Sequence, residues 1–151
     1  MSNDGKKVIG WREWVSLPEL GIEQMKVKVD SGARTSALHA FRVEPFQRDG
    51  KNWVSFDVHP RQHDVEEVVS CEMPVKDIRT VTDSGGHQSE RYVIETNVVI
   101  GDQQYPIELT LTSRDTMRFR MLLGRTAMNG RFLVDPAGAY LISQGKHQPE
   151  L

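Results

Sequence analysis

The first candidate for chemistry in this sequence is an acidic residue that directly follows a predicted strand. Residues 25–29 alternate between apolar side chains and lysines, which is the pattern of a half-buried β-strand. Residues 30–33 then read Asp-Ser-Gly-Ala, a turn sequence with very little side-chain bulk. In such a turn the Asp30 carboxylate can accept hydrogen bonds from backbone N–H groups and from the Ser31 hydroxyl. The same tripeptide occurs in many ordinary β-turns, so a functional interpretation needs support from elsewhere in the chain.

A second motif supplies that support. Residues 121–125 read Met-Leu-Leu-Gly-Arg, in which two apolar residues can fill a core and a glycine permits close backbone approach. The two motifs together resemble the retropepsins, the single-lobe aspartic peptidases. The longer strings at 28–40 and 122–136 resemble more narrowly the bacterial RimB-type retropepsin-like proteins, a family also described as ATP-dependent zinc proteases. The resemblance extends from about residue 11 to residue 142, and the family is linked to an ATP-grasp ligase that adds glutamates to a ribosomal protein.

The resemblance implies an acid-protease β-barrel with aspartic endopeptidase activity on a protein or a glutamylated tail. This chemistry needs two carboxylates that share one proton, one acting as base on water and the other donating to the scissile carbonyl. One lobe supplies one such carboxylate, so a homodimer with both copies of Asp30 at the two-fold axis is implied. The implied catalytic residues are Asp30, Ser31 and Gly32; the substrate-binding residues are Ala33, Arg34, His39, Gly85 and Gly86; the residues that support the turn are Leu122, Leu123, Gly124 and Arg125.

The residue after the turn departs from the retroviral pattern. Retroviral members usually carry an acid there, which pairs with the arginine of the second motif, whereas this chain has Arg34. Arg125 must therefore find another acid, and Asp57 and Asp135 are the candidates. A cation near a carboxylate lowers its pKa, so Arg34 either disfavours the shared-proton state or shifts substrate preference towards acidic chains.

A second Asp-Ser-Gly begins at Asp83, but no apolar-apolar-Gly motif accompanies it. We therefore expect a glycine-rich hairpin tip at this position rather than a second catalytic turn. In a retropepsin, a hairpin in this interval is the flap that closes over substrate, so residues 83–87 are the expected flap tip.

Metal and nucleotide chemistry find little support in the sequence. The chain has five histidines but no His-Glu-x-x-His motif and one cysteine, and the phosphate-binding loop Gly-x₄-Gly-Lys-Ser/Thr is absent. His59 and His63 are four apart, but Pro60 disfavours a helix between them, whereas His39 could face the same cleft as Asp30. We expect no metal and no cofactor, and any ATP dependence must come from a partner such as the ligase.

The amino-acid composition indicates the broad class of protein. The chain has 151 residues, 26% of them charged, with a net charge of −2, so no basic field points to nucleic acid or an anionic membrane. A lone Cys71 and the lack of an apolar leader or membrane span predict a cytoplasmic protein. We expect one barrel domain over residues 7–143, with flexible residues at 1–6 and 144–151.

The pattern of short strands and turns predicts an all-β closed barrel with at most one or two short helical turns. Strong hairpin signals are Asp49-Gly50 and Gly101-Asp102. Short helical turns are expected at 113–115 and 126–129, and a final hairpin is expected to join 131–134 to 140–142. The strands are predicted at 8–15, 25–29, 37–46, 53–58, 65–73, 75–81 (broken from its predecessor by Pro74), 91–100, 105–112, 121–123, 131–134 and 140–142.

One rival function stays open on the sequence alone. A non-catalytic module could use the same cleft to hold an ATP-grasp glutamate ligase or an acidic peptide. Basic residues at 26, 28, 34, 114, 118, 120 and 125 would favour an acidic partner if several lined one groove.

Overall fold

The computed structural model describes residues 6–62, 64–82, 84–113 and 118–143. These residues form twelve strands and two 3₁₀ turns, and no α-helix. The strands are β1 (Lys7–Ile9), β2 (Arg12–Leu17), β3 (Ile22–Val29), β4 (Ser36–His39), β5 (Phe41–Arg48), β6 (Lys51–Val58), β7 (Val69–Pro74), β8 (Asp77–Thr82), β9 (Gln88–Ile100), β10 (Gln103–Thr112), β11 (Met121–Leu123) and β12 (Phe132–Val134), with 3₁₀ turns at Pro18–Leu20 and Arg125–Ala127.

Six strands close into a barrel. Their order is β10-β4-β11-β3-β2-β9, and β9 pairs back onto β10 to complete the ring. Strand β8 extends this sheet beyond β9 as an outer edge. Alternate residues point inward, so each strand contributes side chains to one core. Fully buried examples are Met25, Val27, Leu38, Leu109, Met121 and Leu123. The predicted all-β closed barrel is confirmed.

A three-stranded antiparallel sheet, β5-β6-β7, packs beside the barrel through Val54, Phe56 and Val58. Its first hairpin turns at Asp49 and Gly50, whose φ angles of 52° and 75° are those of a type I′ turn. The Asp-Gly pair predicted this turn correctly, because such residues adopt positive φ at little cost.

Several predicted element boundaries are wrong for identifiable reasons. Residues 8–15 form two strands, because the chain at Gly10 passes so close to Gly138 that a Cβ there would collide with the Gly138 oxygen. Residues 65–68 are not part of β7, since the Glu66 N–H donates to the Asp64 side chain in a local turn. The first 3₁₀ turn, Pro18–Leu20, lies between β2 and β3, where no helical turn was predicted.

The predicted final hairpin is also wrong. Strand β12 pairs in parallel with β1, and residues 140–142 form no strand. The helical turn expected at 126–129 exists as the 3₁₀ turn Arg125–Ala127. Of the helical turn expected at 113–115, the structure describes Ser113 alone, and residues 114 and 115 lie outside the described residues. The flexibility expected at residues 1–5 and 144–151 also lies outside them. No helix in the described part of the chain has the length and hydropathy of a membrane span.

Candidate functional site

The two sequence motifs meet in the barrel. Strand β3 runs into Asp30, and β4 begins after the turn, at Ser36. Strand β11 lies between them, parallel to β3 and antiparallel to β4. The Asp30 N–H donates to the Leu123 carbonyl at 2.9 Å. The apolar motif therefore lies directly against the strand that ends in the acidic turn, as the resemblance implied.

Gly124 permits this close packing. A Cβ at this position would lie 2.5 Å from the carbonyl carbon of Thr35 and 2.6 Å from its oxygen. The Gly124 N–H donates to the buried Ser36 hydroxyl at 3.0 Å. The next two N–H groups, of Arg125 and Thr126, donate to the carbonyls of Ala33 and Arg34 at 2.8 and 3.0 Å. Residues 124–126 thus fix the backbone that follows Asp30.

The Asp30 carboxylate lies at the surface of the single chain. Its Oδ1 accepts a hydrogen bond from the Gly32 N–H at 3.1 Å, and the Asp30 carbonyl accepts one from Ala33 at 3.1 Å. Asp30 is half-buried, whereas Ser31 and Gly32 are exposed. The carboxylate is held by its own turn and remains accessible to a substrate or a second copy.

The expectation that Arg125 pairs with Asp57 or Asp135 is wrong. The Arg125 Nη1 donates to the carbonyls of Ser31 and Gly32, at 3.2 Å each. Asp57 instead binds Arg42 at 2.9 Å, and Asp135 accepts the Ala137 N–H at 3.0 Å. The guanidinium therefore holds the acidic turn in place by donating hydrogen bonds to the backbone oxygens of the turn. These oxygens serve as its hydrogen-bond acceptors in place of a carboxylate.

Arg34 lies in a cleft beside the turn. It is exposed, and its guanidinium has no hydrogen bond or ion pair with any residue that the structure describes. Strands β8, β9 and β10 also line this cleft, and we call their part of it the far wall. The cleft is lined on the turn side by Arg34, Thr35 and Thr126, and on the far side by Arg79, Glu95 and Glu108.

The far wall carries a network of ion pairs. Glu95 and Glu108 are direct cross-strand partners, and Lys76 bridges them through contacts of 3.0 and 3.3 Å. Arg79 contacts Glu108 at 3.2 Å and Asp77 at 3.0 Å. Partial burial favours a higher pKa for Glu108, but hydrogen bonds from Arg79 and Lys76 outweigh it and lower the pKa. Hydrogen bonds to Glu95 and Glu108 raise the pKa of Lys76. The wall is therefore charged, but its charges already have partners.

The predicted glycine-rich tip joins β8 to β9, so a hairpin does occupy the interval. Gly85 and Gly86 are exposed, and Gly86 has a φ of 85° that a glycine tolerates. Asp83 lies outside the described residues. The role of this hairpin as a flap over substrate stays a prediction.

The histidines do not gather into a metal site in the described part of the chain. His39 is 5% exposed at the end of β4, so its predicted substrate contact gains no support from this position. His59 stacks on Phe41 at 4.3 Å between ring centroids. No group of three His, Cys, Asp or Glu side chains with metal-binding geometry occurs among the residues described. His63 and His147 lie outside those residues.

Sequence reasoning overlooked one buried acid, Glu13. It lies on β2 with no exposed surface and accepts hydrogen bonds on both carboxylate oxygens. A signal was present, because the alternation of β2 places Glu13 on the same inward face as Val15 and Leu17.

Comparison with known proteins agrees with this architecture. The family model described as RimB-like, retropepsin-like aspartic endopeptidase RimB, matches residues 8–145. A crystal structure of a protein of unknown function from Legionella pneumophila is similar, with a TM-score of 0.74, 25% identity, and coverage of 90% of this chain and 98% of that one.

Curated relatives carry a different name. Proteins named probable alpha-L-glutamate ligase are 53% identical over 89% of this chain in Parasynechococcus marenigrum and 52% identical over 91% in Desulfotalea psychrophila. A third, from Shewanella pealeana, is 44% identical over 94% of the chain. The chain spans only 29–31% of the length of these relatives. By the match to the family model and by its barrel, the chain belongs to the RimB-like family of retropepsin-like aspartic endopeptidases.

Proposed function

We propose that this chain is one subunit of a homodimeric aspartic endopeptidase whose catalytic carboxylates are the two copies of Asp30. The observation that carries the proposal is the contact between the Asp30 turn and strand β11, with the Asp30 N–H bonded to Leu123 and Arg125 braced against the turn carbonyls. Asp30 is held in place by backbone contacts and still faces outward.

In the proposed reaction the two carboxylates share one proton, because like charges so close together cannot both ionise. The ionised carboxylate removes a proton from a water molecule, which attacks the scissile carbonyl carbon. The protonated carboxyl donates to the carbonyl oxygen, and collapse of the tetrahedral intermediate returns a proton to the leaving amine. Ser31 and Gly32 belong to the turn that orients each carboxylate.

The substrate we propose is an acidic protein segment, such as a glutamylated tail. Arg34 lines the cleft next to the turn and has no partner among the described residues. The relatives named probable alpha-L-glutamate ligase support a functional link to a ligase of the ATP-grasp class, as a partner that makes such tails. Ala33, Gly85 and Gly86 are proposed to contact the substrate backbone, where small residues allow close approach.

A second candidate function is a binding module without catalysis. The specific observation in its favour is that the matching region makes up 29–31% of relatives whose name describes ligation, not hydrolysis. In that case the cleft would hold the ligase or its acidic product.

The test is replacement of the proposed catalytic acid. Asp30→Asn should abolish cleavage of a Glu-rich protein tail while leaving the fold and the dimer intact, because asparagine keeps the shape of the turn but cannot exchange the proton. Asp49→Asn, in the exposed β5–β6 turn, is the matched control and should cleave normally. A pepstatin-like transition-state analogue should inhibit the wild-type protein. Unchanged turnover by Asp30→Asn would reject the mechanism through Asp30, whereas binding of the tail without cleavage by the wild type would favour the binding module.

A further inference from the structure

Glu13 is a fully buried carboxylate whose partners are almost all backbone N–H groups. Its Oε2 accepts from Gly10 at 2.7 Å and from Leu141 at 2.9 Å. Its Oε1 accepts from the N–H groups of Ile142 and Ser143 at 3.4 and 3.2 Å and from the Ser143 hydroxyl at 2.5 Å. Successive N–H groups that converge in this way form an anion-binding nest. A buried acid without such donors would strongly destabilise the fold, so this set of bonds accounts for its presence in the core.

The nest belongs to a segment that lies along β2, residues 135–143, which we call the strap. The Ser143 hydroxyl accepts a hydrogen bond from the Trp14 N–H at 2.7 Å and donates one to Glu13. The hydroxyl therefore connects the backbone of β2 to the carboxylate. Three further backbone bonds join the strap to residues 9–12: Asp135 N–H to Ile9 O at 2.9 Å, Trp11 N–H to Gly138 O at 2.7 Å, and Tyr140 N–H to Arg12 O at 2.9 Å.

The strap adopts a conformation that its own sequence does not favour. Tyr140 has a φ of 54°, in the left-handed region that a residue with a bulky side chain rarely enters. Its ring stacks on Trp14, with 5.8 Å between ring centroids, and the Arg12 guanidinium lies 5.0 Å from its centre. Strained backbone of this kind persists only where the surroundings hold it, and Glu13 accepts four hydrogen bonds from the strap.

The strap also lies one step from the candidate catalytic turn. The Trp11 carbonyl accepts the Val29 N–H at 2.8 Å, and Val29 directly precedes Asp30. Glu13 itself is the cross-strand partner of Val27 on the same strand. A route of direct hydrogen bonds therefore runs from Glu13 through the strap and Trp11 to the end of β3.

We propose that Glu13 is a positioning residue that docks the strap onto β2 and thereby fixes the end of β3 that carries Asp30. The carboxylate acts as the anion that the strap folds around. The consequence for catalysis rests on the proposed peptidase function, whereas the docking of the strap does not.

Amide hydrogen exchange tests the docking directly. In Glu13→Ala the amides of residues 141–143 should exchange at least about tenfold faster than in the wild type, since each loses its Glu13 acceptor and a hydrogen bond of this kind is of that order. Val29 and Asp30 amides should also exchange faster. The matched control is Glu23→Gln, an exposed acid of the neighbouring strand whose side chain has no partner among the described residues, and its exchange should equal the wild type.

Chemical rescue then separates positioning from general damage. The atoms that Glu13→Ala removes correspond to acetate, so acetate should bind the empty nest and restore exchange protection and thermal stability, while chloride at equal ionic strength should not. Glu13→Gln, which keeps the shape but turns an NH₂ group towards the donors, should show the same faster exchange without rescue. Wild-type protection of residues 141–143 in both variants would overturn the proposal. Faster amide exchange in the strap without faster exchange at Val29 and Asp30 would also overturn it. So would chloride raising the thermal stability of Glu13→Ala as much as acetate does.

The activity readout distinguishes this inference from the proposed function. If the protein cleaves peptides, Glu13→Ala should lower kcat with little change in KM, because Glu13 is buried away from substrate, and acetate should restore kcat. An unaltered kcat in a variant with a loosened strap would contradict the positioning role. If the wild type cleaves nothing, the peptidase proposal fails while the exchange results still decide whether Glu13 docks the strap.

Discussion

At the scale of single residues, the candidate site is distinguished by two arginines near Asp30 that have different tasks. Arg125 is tied to the carbonyls of Ser31 and Gly32, whereas Arg34 points its charge into the cleft without a described partner. An arginine replaces the acid expected after the turn, so the local charge is reversed relative to retroviral members. Because the Arg34 side chain has no described partner, we propose that this reversal affects substrate choice more than the fold.

Arg34→Ala should weaken binding of a Glu-rich peptide by ~1–3 kcal/mol, the usual range for a lost hydrogen bond to a charged group. It should barely change binding of a neutral peptide of equal length. The loss should shrink at high salt, which screens charges beyond roughly 8 Å at physiological ionic strength. Titration calorimetry with both peptides at two salt concentrations measures these affinities.

Lys28→Ala is the control for this experiment, since Lys28 is an exposed cation of β3 outside the cleft. It should leave both affinities unchanged. Equal losses for the two peptides in Arg34→Ala, or no loss for the acidic one, would assign Arg34 a structural role.

The sequence predicted that the two motifs would meet, but it did not predict which atoms make the contacts. The motifs at 30–33 and 121–125 meet as expected, because a turn without bulk and a glycine can come together in few other ways. The partner of Arg125 was not predictable, since backbone carbonyls are its acceptors and every residue carries one. The nest around Glu13 was equally hidden, because its donors are backbone N–H groups far away in the chain.

At the scale of elements, the β8–β9 hairpin is anchored at its base by charges. Lys76 and Arg79 hold Glu108 of β10, so the hairpin is tied to the barrel wall that faces Arg34. The outer strand β8 is exposed along nearly its whole length, so these ion pairs supplement a small apolar contact.

The lowered pKa of Glu108 predicts how this anchor depends on pH. A carboxylate with a depressed folded-state pKa stabilises the fold at neutral pH, and this contribution disappears as the pH falls through the usual Glu range to the folded-state value. The difference in thermal midpoint between the wild type and Glu108→Gln should therefore shrink from pH 7 towards pH 3.

Thermal unfolding of both proteins across this range checks the prediction. Glu44→Gln, an exposed glutamate without an ion pair among the described residues, should differ from the wild type equally little at every pH. A difference for Glu108→Gln that stays constant or grows on acidification would show that the ion pairs do not anchor the hairpin.

Elements joined by short turns were predicted well, and distant pairings were not. The turns at Asp49-Gly50 and Gly101-Asp102 carry their own conformational signals. The parallel pairing of β1 with β12, and the strap in place of a final strand, depend on partners far along the chain. Hydrophobic alternation indicates a strand but does not indicate which other strand pairs with it.

At the scale of the whole molecule, one chain contains only half of the proposed active site. One chain provides one Asp30, and a peptidase dyad needs two. The relatives named as ligases are longer proteins, of which this chain spans 29–31%. The proposed division of labour is that a ligase builds an acidic tail and this barrel shortens it.

Metal chelators should change neither the stability nor the activity of the protein. The sequence has no zinc motif, and the described residues hold no group of three candidate ligands. Treatment with EDTA should therefore change neither the unfolding temperature nor, if cleavage occurs, its rate. Stoichiometric zinc in the purified protein, bound through His39, His59 or His63, would overturn this expectation.

The most direct test of the central claim is to mix wild-type subunits with Asp30→Asn subunits and measure cleavage after exchange. If each active site needs Asp30 from both subunits, an equal amount of the variant should reduce the activity of a fixed amount of wild type to about half, because random pairing leaves about half of the wild-type subunits with a wild-type partner. Activity that stays unchanged as the variant is added would show that each chain acts alone, and would contradict the shared dyad.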